Sequence, residues 1–154
     1  MNLSDLRVRY TKDRFSEADL SDCPFKQFEK WFAQALDAQL EEPNAMCLAT
    51  VSPEGQARTR IVLLKDFSER GLIFYTNYSS AKAQAMDHNK TVSVNFIWHA
   101  LQRQINIQGS TEKVDRATSE AYFQSRPRGS QLGALVSPQS SVIASREALE
   151  DRLA

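Results

Sequence analysis

The sequence predicts a mainly β fold with flanking helices (α+β), arranged as an antiparallel barrel or sandwich. Five strand-like runs fall within about seventy residues, and most neighbours are joined by turns of hairpin composition. One short helix is inserted among them. The chain contains no GxGxxG motif, Walker loop or internal repeat, which disfavours the parallel nucleotide-binding folds.

Length and charge indicate one soluble domain. The 154 residues suit a single core, and 19 basic residues balance 19 acidic ones, so neither nucleic-acid nor membrane binding is predicted. No run approaches the roughly 20 apolar residues of a membrane span. We expect a cytoplasmic protein with a mobile arm over residues 1–22 and one domain over 23–154. Cys23 and Cys47 lack CxxC or histidine neighbours, so no metal site is predicted.

Apolar periodicity and capping residues predict the helices. They are expected over residues 24–41, 79–89, 115–125, 129–137 and 145–154. Asp22 or Cys23 is the expected cap of the first, Ser79 or Ser80 of the second, and Asp115 of the third.

Strands are predicted over residues 45–51, 56–65, 72–76, 91–98 and 102–113. The turn at 52–55, Ser-Pro-Glu-Gly, predicts a hairpin between the first two. A second polar turn is expected over 66–71. Strict alternation over 91–98 is typical of a half-buried strand.

A first cationic cluster lies within residues 58–82. Arg60 and Lys82 stand among apolar or small residues, and Lys82 follows the Ser79-Ser80 helix start. Phosphate groups favour paired cations, hydroxyls and the N–H groups at a helix start. The cluster therefore predicts an anion site, although exposed cations at strand ends also serve solubility and ion pairing.

A second cluster comprises Tyr122, Arg126 and Ser130. The first two are four residues apart and are expected on one helical face. Lys65 is close enough in sequence to serve either cluster. Strand alternation places Arg60 and Lys65 on opposite faces, so a shared ligand would need a bend between them.

Six segments together resemble a known family. They are LRVRYT (6–11), RIVLLKDF (60–67), GLIFYTNYSSAKA (71–83), WHALQRQINIQG (98–109), AYFQSRPRGSQLGA (121–134) and VSPQSSVI (136–143). In this order they resemble the pyridoxamine (pyridoxine) 5′-phosphate oxidases. The resemblance implies an FMN-binding split β-barrel that forms a homodimer with two flavin sites at the subunit interface.

The implied reaction oxidises pyridoxamine or pyridoxine 5′-phosphate to pyridoxal 5′-phosphate. A hydride passes from the substrate C4′ to flavin N5, and O2 reoxidises the flavin with release of H2O2. The resemblance implies that one set of residues contacts FMN, some of them from the second subunit, with Arg60 at the FMN phosphate. The set is Arg60, Ile61, Val62, Leu63, Leu64, Lys65, Tyr75, Thr76, Lys82, Gln104, Gln139 and Ser140. The resemblance places on the substrate phosphate Lys65, Tyr122, Arg126 and Ser130, with Arg7 and Tyr10 closing over the bound substrate.

Two departures from the family pattern affect these expectations. Ala81 stands where the family commonly has a basic residue. The family has a C-terminal segment that carries a flavin-contacting Trp, an Arg-Leu-His motif and a further Arg on FMN. We find no counterpart of this segment here, because the sequence contains no Arg-Leu-His and its Trp residues are Trp31 and Trp98. No catalytic residue is therefore assigned, and weak FMN binding or slow turnover is expected of this polypeptide.

Two alternatives stay open. One is an FMN-dependent reductase, or a flavin- or haem-binding split barrel of another activity, against which the second phosphate cluster argues. The other is a non-catalytic module that holds FMN or pyridoxal 5′-phosphate.

Overall fold

The computed structural model describes residues 2–7, 9–12 and 14–153. Parts of the predicted arm (1, 8 and 13) and the last residue of the predicted final helix (154) lie outside these ranges. The helices are α1 Pro24–Asp37, α2 Ala81–His88, α3 Arg116–Ser125, α4 Arg128–Val136 and α5 Glu147–Glu150, with 3-10 turns at Glu17–Asp19 and His99–Leu101. Of the helices described, none has both the length and the apolar character that crossing a bilayer requires.

Capping residues set the starts of the helices. Ser80 is the N-cap of α2 and its hydroxyl accepts the Ala83 N–H at 3.4 Å. Asp115 caps α3 and accepts the Thr118 N–H at 2.8 Å. Both predicted caps are confirmed, while Cys23 stands at the N-cap position of α1 without a side-chain bond.

Helix α1 ends four residues before the predicted end at 41. Gln39 adopts a left-handed conformation with φ 52° and breaks the helix. The Leu40 N–H then bonds to the Ala35 carbonyl at 3.2 Å, so Leu40 still packs against the core.

The strands are β1 Ala45–Val51, β2 Ala57–Leu63, β3 Asp66–Ser68, β4 Gly71–Ile73, β5 Thr91–Trp98 and β6 Arg103–Ser110. Four of them form an antiparallel sheet in the order β2-β1-β5-β6, and β3 and β4 form a separate two-stranded sheet. The predicted hairpin between the first two strands is confirmed, with Ala45 opposite Leu63.

The chain changes sheets at residues 64–65, which corrects two predicted elements. The Leu64 N–H still bonds to the Asn44 carbonyl, but the Lys65 N–H bonds to the Ile73 carbonyl, both at 2.8 Å. The predicted strand 56–65 therefore stops at Leu63, and part of the predicted turn 66–71 is strand β3. This is the bend that Arg60 and Lys65 would need to share a ligand.

The core lies between one face of the four-stranded sheet and helix α1. The side of this sheet that carries Met46, Leu48 and Thr50, each at most 2% exposed, is called the core face. The opposite side is called the outer face. Phe28 of α1 packs on the core face with ring centroids 5.0–6.3 Å from those of Phe32, Phe67, Phe96 and Trp98. The outer face carries exposed apolar residues such as Ile61 and Ile97.

The C-terminal region is less regular than predicted. Only Glu147–Glu150 is helical, although the predicted Ser145 contact forms, because its hydroxyl accepts the Ala148 N–H at 3.2 Å. Such a short helix has few intrahelical bonds to offset its nucleation cost. A hydrogen bond joins this segment to the end of α4, because Arg152 Nη1 donates to the Val136 carbonyl at 3.1 Å.

Candidate functional site

Arg60 lies on β2 with its side chain on the core face, opposite Leu48 in the β1–β2 register. Its Nη1 donates to the Leu48 carbonyl at 3.1 Å and to Thr50 Oγ1 at 2.8 Å. These two bonds fix the guanidinium at the edge of the core while leaving its other donors available.

Lys82 lies in the first turn of α2 and joins three separate segments of the chain. Its Nζ donates to Thr76 Oγ1 at 3.2 Å, to Ser80 Oγ at 3.4 Å and to Gln139 Oε1 at 2.8 Å. The structure thus brings together four of the residues predicted from the resemblance or the first cluster.

Both cations are held without a compensating charge. Burial, and then the nearby Arg60, lower the pKa of Lys82 below its ordinary value. Burial is also the main cause of the lowered pKa of Arg60. Within the described ranges, the ion pairs involve other residues, and neither cation has a carboxylate within 4.0 Å. A bound anion would relieve both shifts, which is the behaviour of a phosphate site.

The residues after Arg60 alternate between the two faces. Val62 and Leu64 pack toward the core, whereas Ile61 is 63% exposed on the outer face. Strand β2 pairs only with β1 in the described part of the chain, so its second edge keeps free N–H and C=O groups. A ligand that contacts all of residues 60–65 would therefore be bound partly by their side chains and partly by the free backbone groups at this edge of the sheet.

Gln104 is not brought to this cluster. It pairs with Ile97 on β6, so its side chain lies on the outer face, while Arg60 lies on the core face. Strands β6 and β2 are at opposite edges of the sheet, about 14 Å apart at the usual strand spacing. Ser140, with φ 69°, is exposed beside Gln139.

The second cluster forms at the corner between α3 and α4. Tyr122 lies on α3, while Arg126 is the C-cap with an extended backbone (φ −74°, ψ 148°). The prediction that these two share a helical face is wrong, because Pro127 disfavours helical geometry in the preceding residue. Ser130 is exposed in the first turn of α4.

Gln131 braces this corner. Its Nε2 donates to the carbonyl oxygens of Gln124, at 3.1 Å, and Arg126, at 2.8 Å. The bond fixes the backbone at Arg126 although the helix has already ended there.

The two clusters meet through stacked tyrosines. The ring of Tyr75, next to Thr76, lies 3.7 Å from that of Tyr122, with an interplanar angle of 4°. Burial, followed by the charge of Asp66 and the neighbouring Tyr122, raises the pKa of Tyr75. The phenol therefore stays protonated as a hydrogen-bond donor.

The N-terminal arm is not placed on the second cluster. Arg7 donates to the Ser4 carbonyl, and Tyr10 is 83% exposed. The next residues are tethered instead, because the N–H groups of Thr11 and Lys12 both bond to Gln102 Oε1 at 3.1 Å.

Sequence reasoning missed three polar residues that position the others: Thr50, Gln131 and Gln102. Thr50 had a signal, since it is the one polar residue on the buried face of β1. Gln131 and Gln102 act by contacts that no local pattern predicts. Across the ranges that the structure describes, no group of three or more His, Cys, Asp or Glu residues could hold a metal ion.

Comparison with known proteins identifies the family. The family described as pyridoxamine 5′-phosphate oxidase matches residues 32–154. The chain belongs to this family. It is 53% identical over 154 residues to a pyridoxine/pyridoxamine 5′-phosphate oxidase of Synechocystis, covering all of this chain and 72% of that protein. It is 56% identical to the protein of that name from Crocosphaera subtropica, over 97% of this chain and 70% of the relative.

Solved structures agree on the fold. PhzG from Burkholderia lata, crystallised with tetrahydrophenazine-1-carboxylic acid, superposes with a TM-score of 0.86 at 26% identity, over 92% of this chain and 70% of PhzG. A pyridoxamine 5′-phosphate oxidase-related, FMN-binding protein from Nostoc punctiforme gives a TM-score of 0.64 at 20% identity, over 85% of this chain and 73% of its own. The predicted α+β class of the split-barrel family is confirmed, although the described strands form two sheets and not one closed barrel.

Proposed function

We propose that the chain oxidises pyridoxine or pyridoxamine 5′-phosphate to pyridoxal 5′-phosphate with FMN as cofactor and O2 as electron acceptor. The observation that carries the proposal is the presence of two phosphate-type clusters in contact through Tyr75 and Tyr122. A phosphorylated cofactor and a phosphorylated substrate together need two such sites. The names of the relatives support the same reaction.

The residues around Lys82 fit the phosphate of FMN. Arg60 and Lys82 supply positive charge, Thr76 and Ser80 supply hydroxyls, and α2 begins at this point. Lys82 would exchange its bond to Gln139 for one to the phosphate. When bound, FMN would supply the acceptor for the hydride from C4′ and pass both electrons to O2, which is released as H2O2.

The second cluster would hold the substrate phosphate. The Arg126 guanidinium and the hydroxyls of Tyr122 and Ser130 provide charge-assisted and neutral donors at the α3–α4 corner. Lys65, exposed where the chain changes sheets, would add a second cation. These residues would orient the substrate, because fixing its phosphate also fixes the position of C4′.

A homodimer would complete the cofactor site. Because Gln104 lies on the outer face and Arg60 on the core face, one chain does not present both to one ligand. We propose that Gln104 acts on the flavin of a second subunit. Arg7 and Tyr10 would close over the substrate from the arm tethered at Gln102. Two free cysteines are consistent with the proposed cytoplasmic location.

The test is a substrate reduction experiment with the purified 154-residue chain and FMN. Anaerobic addition of pyridoxine 5′-phosphate is expected to bleach the flavin absorption as pyridoxal 5′-phosphate forms. Admission of O2 is then expected to restore the absorption with release of an equal amount of H2O2. Pyridoxine without phosphate is the matched control and should react far more slowly. The Synechocystis relative, run in parallel, provides the reference rate.

Other outcomes would contradict the proposal. Flavin that is bleached by NAD(P)H and not by pyridoxine 5′-phosphate would indicate a reductase. A yellow protein that no substrate bleaches would indicate a binding module. Arg126→Met should raise KM for pyridoxine 5′-phosphate about tenfold or more, because a charge-assisted bond is lost. Arg116→Met, at the exposed start of α3, is the control and should leave KM unchanged.

A further inference from the structure

Tyr75 and Tyr122 form the closest aromatic pair in the described part of the chain. Their centroids are 3.7 Å apart and their planes differ by 4°, so the rings overlap face on face. The other aromatic pairs have centroids at least 5.0 Å apart and are tilted, edge-on or more loosely stacked. Those pairs mostly fill the core, whereas this pair lies where two functional clusters meet.

The two rings come from segments with little other connection. Tyr75 follows β4 by two residues and precedes Thr76, whose hydroxyl is bonded to Lys82. Tyr122 is in α3, one turn before Arg126. Among the described residues, no hydrogen bond or ion pair joins the segment 74–77 to α3, so the stack is their direct contact there.

The stack limits where the Tyr122 hydroxyl can lie. A tyrosine side chain on a helix has more than one allowed χ1 well, and moving between wells displaces the hydroxyl by several ångströms. With one face of its ring covered by Tyr75, Tyr122 can leave its present well only by breaking the overlap. Both residues are half-buried.

We propose that Tyr75 is a positioning residue for the substrate phosphate site, acting through its ring on Tyr122. This rests on the proposed function, in which Tyr122 binds that phosphate. Tyr75 is predicted from the resemblance only as a flavin-site residue, so the inference gives it a second role. Tyr75 thereby connects the segment that contacts Lys82 through Thr76 with the substrate phosphate site.

The test measures binding at equilibrium, without turnover. Dissociation constants for pyridoxine 5′-phosphate and for pyridoxine are determined by calorimetry on the 154-residue chain and its variants. Tyr75→Leu is expected to weaken pyridoxine 5′-phosphate binding about three- to tenfold, the value of one aromatic contact, and to leave pyridoxine binding unchanged. Tyr75→Phe keeps the ring and should show a much smaller loss. Tyr78→Leu, an exposed tyrosine three residues away, is the matched control.

Coupling between the two positions distinguishes positioning from a general loss of structure. Because Tyr75 acts through Tyr122, the double variant Tyr75→Leu/Tyr122→Leu should bind pyridoxine 5′-phosphate as weakly as Tyr122→Leu alone. Additive losses would overturn the proposal, and so would equal losses in Tyr75→Phe and Tyr75→Leu. If Tyr75→Leu does not fold, Tyr75→Trp replaces it. This variant should keep most of the phosphate-dependent affinity, and losing all of it would contradict ring stacking as the cause.

Failure of the proposed function gives a different result. A wild-type chain that binds pyridoxine 5′-phosphate no better than pyridoxine contradicts the substrate assignment itself. A wild-type chain that distinguishes the two ligands, together with an unchanged Tyr75→Leu variant, contradicts only the role of Tyr75.

Discussion

Replacing Lys82 by methionine separates the proposed role of this residue in FMN binding from its effect on stability. Methionine has similar length and keeps the apolar part of the side chain, but it removes the charge and the three bonds to Thr76, Ser80 and Gln139. A hydrogen bond to a charged group contributes about 1.5–3 kcal/mol, so the dissociation constant for FMN should rise about 10- to 150-fold. Quenching of flavin fluorescence during titration measures this constant.

The free energy of unfolding of the ligand-free wild-type chain should rise relative to that of Lys82→Met as the pH increases. The pKa of Lys82 is lowered in the folded chain, so on raising the pH the folded state releases its proton before the unfolded state does. The unfolded state then binds more protons, and the free energy of unfolding gains a positive slope with pH. The gain falls between the lowered pKa and the ordinary value of 10.5.

Urea denaturation from about pH 7 to about pH 10 measures this contribution as the difference between wild type and Lys82→Met. The difference should shift in favour of the wild type as the pH rises. Lys90→Met is the matched control, since Lys90 is exposed and paired with Asp87 at 3.3 Å. The reasoning is refuted if Lys82→Met binds FMN as tightly as the wild type, or if Lys90→Met loses as much affinity.

Three further predictions concern the core and the second cluster. Phe28→Ala removes a ring that is 5% exposed and should lower the free energy of unfolding by about 3–5 kcal/mol in urea denaturation, whereas Leu36→Ala on the exposed side of α1 should cost far less. Asp115→Ala should lower the thermal midpoint at neutral pH. Hydrogen bonds from Thr118 lower the pKa of Asp115 in the folded chain, so the ionised carboxylate stabilises the fold above pH 3.8, and this stabilisation is lost as the pH falls below 3.8. A difference in thermal midpoint between wild type and Asp115→Ala that stays constant down to acid pH would contradict this. Gln131→Met removes three bonds at the α3–α4 corner, two donated to carbonyl oxygens and one accepted from Arg128, and should raise KM for pyridoxine 5′-phosphate several-fold with little change in kcat. An unchanged KM would show that the corner holds its geometry without them.

Patterns in the sequence were sufficient for most of the secondary structure. Alternation over 91–98 matches β5 residue for residue, and the caps at Ser80 and Asp115 are the predicted ones. Two misplaced boundaries have different causes. Strand β2 stops where the Lys65 N–H bonds to the Ile73 carbonyl, a partner in another strand. Helix α1 stops for a local reason, because Gln39 adopts a left-handed conformation and the Leu40 N–H bonds back to Ala35.

The candidate site divides in the same way. The cations at 60 and 82 were evident as residue types suited to phosphate, because charge and a helix start are local properties. The acceptor of Arg60 was not evident, since Thr50 approaches Arg60 only through the β1–β2 register. The sequence also did not indicate that Gln104 would lie on the other face of the sheet from Arg60, because residue spacing does not specify strand order.

By itself the sequence therefore determined the class of fold, the positions of most helices and strands, and two groups of residue types suited to phosphate. Periodicity, capping and turn chemistry are local, so they can be read from a single segment of the sequence. The tertiary structure alone decided that Lys82 meets Gln139, that Arg126 leaves its helix braced by Gln131, and that Tyr75 stacks on Tyr122. These are contacts between segments far apart in the chain, or at a corner where two helices meet. Their geometry follows from how the sheet and helices pack together, and no single segment contains that information.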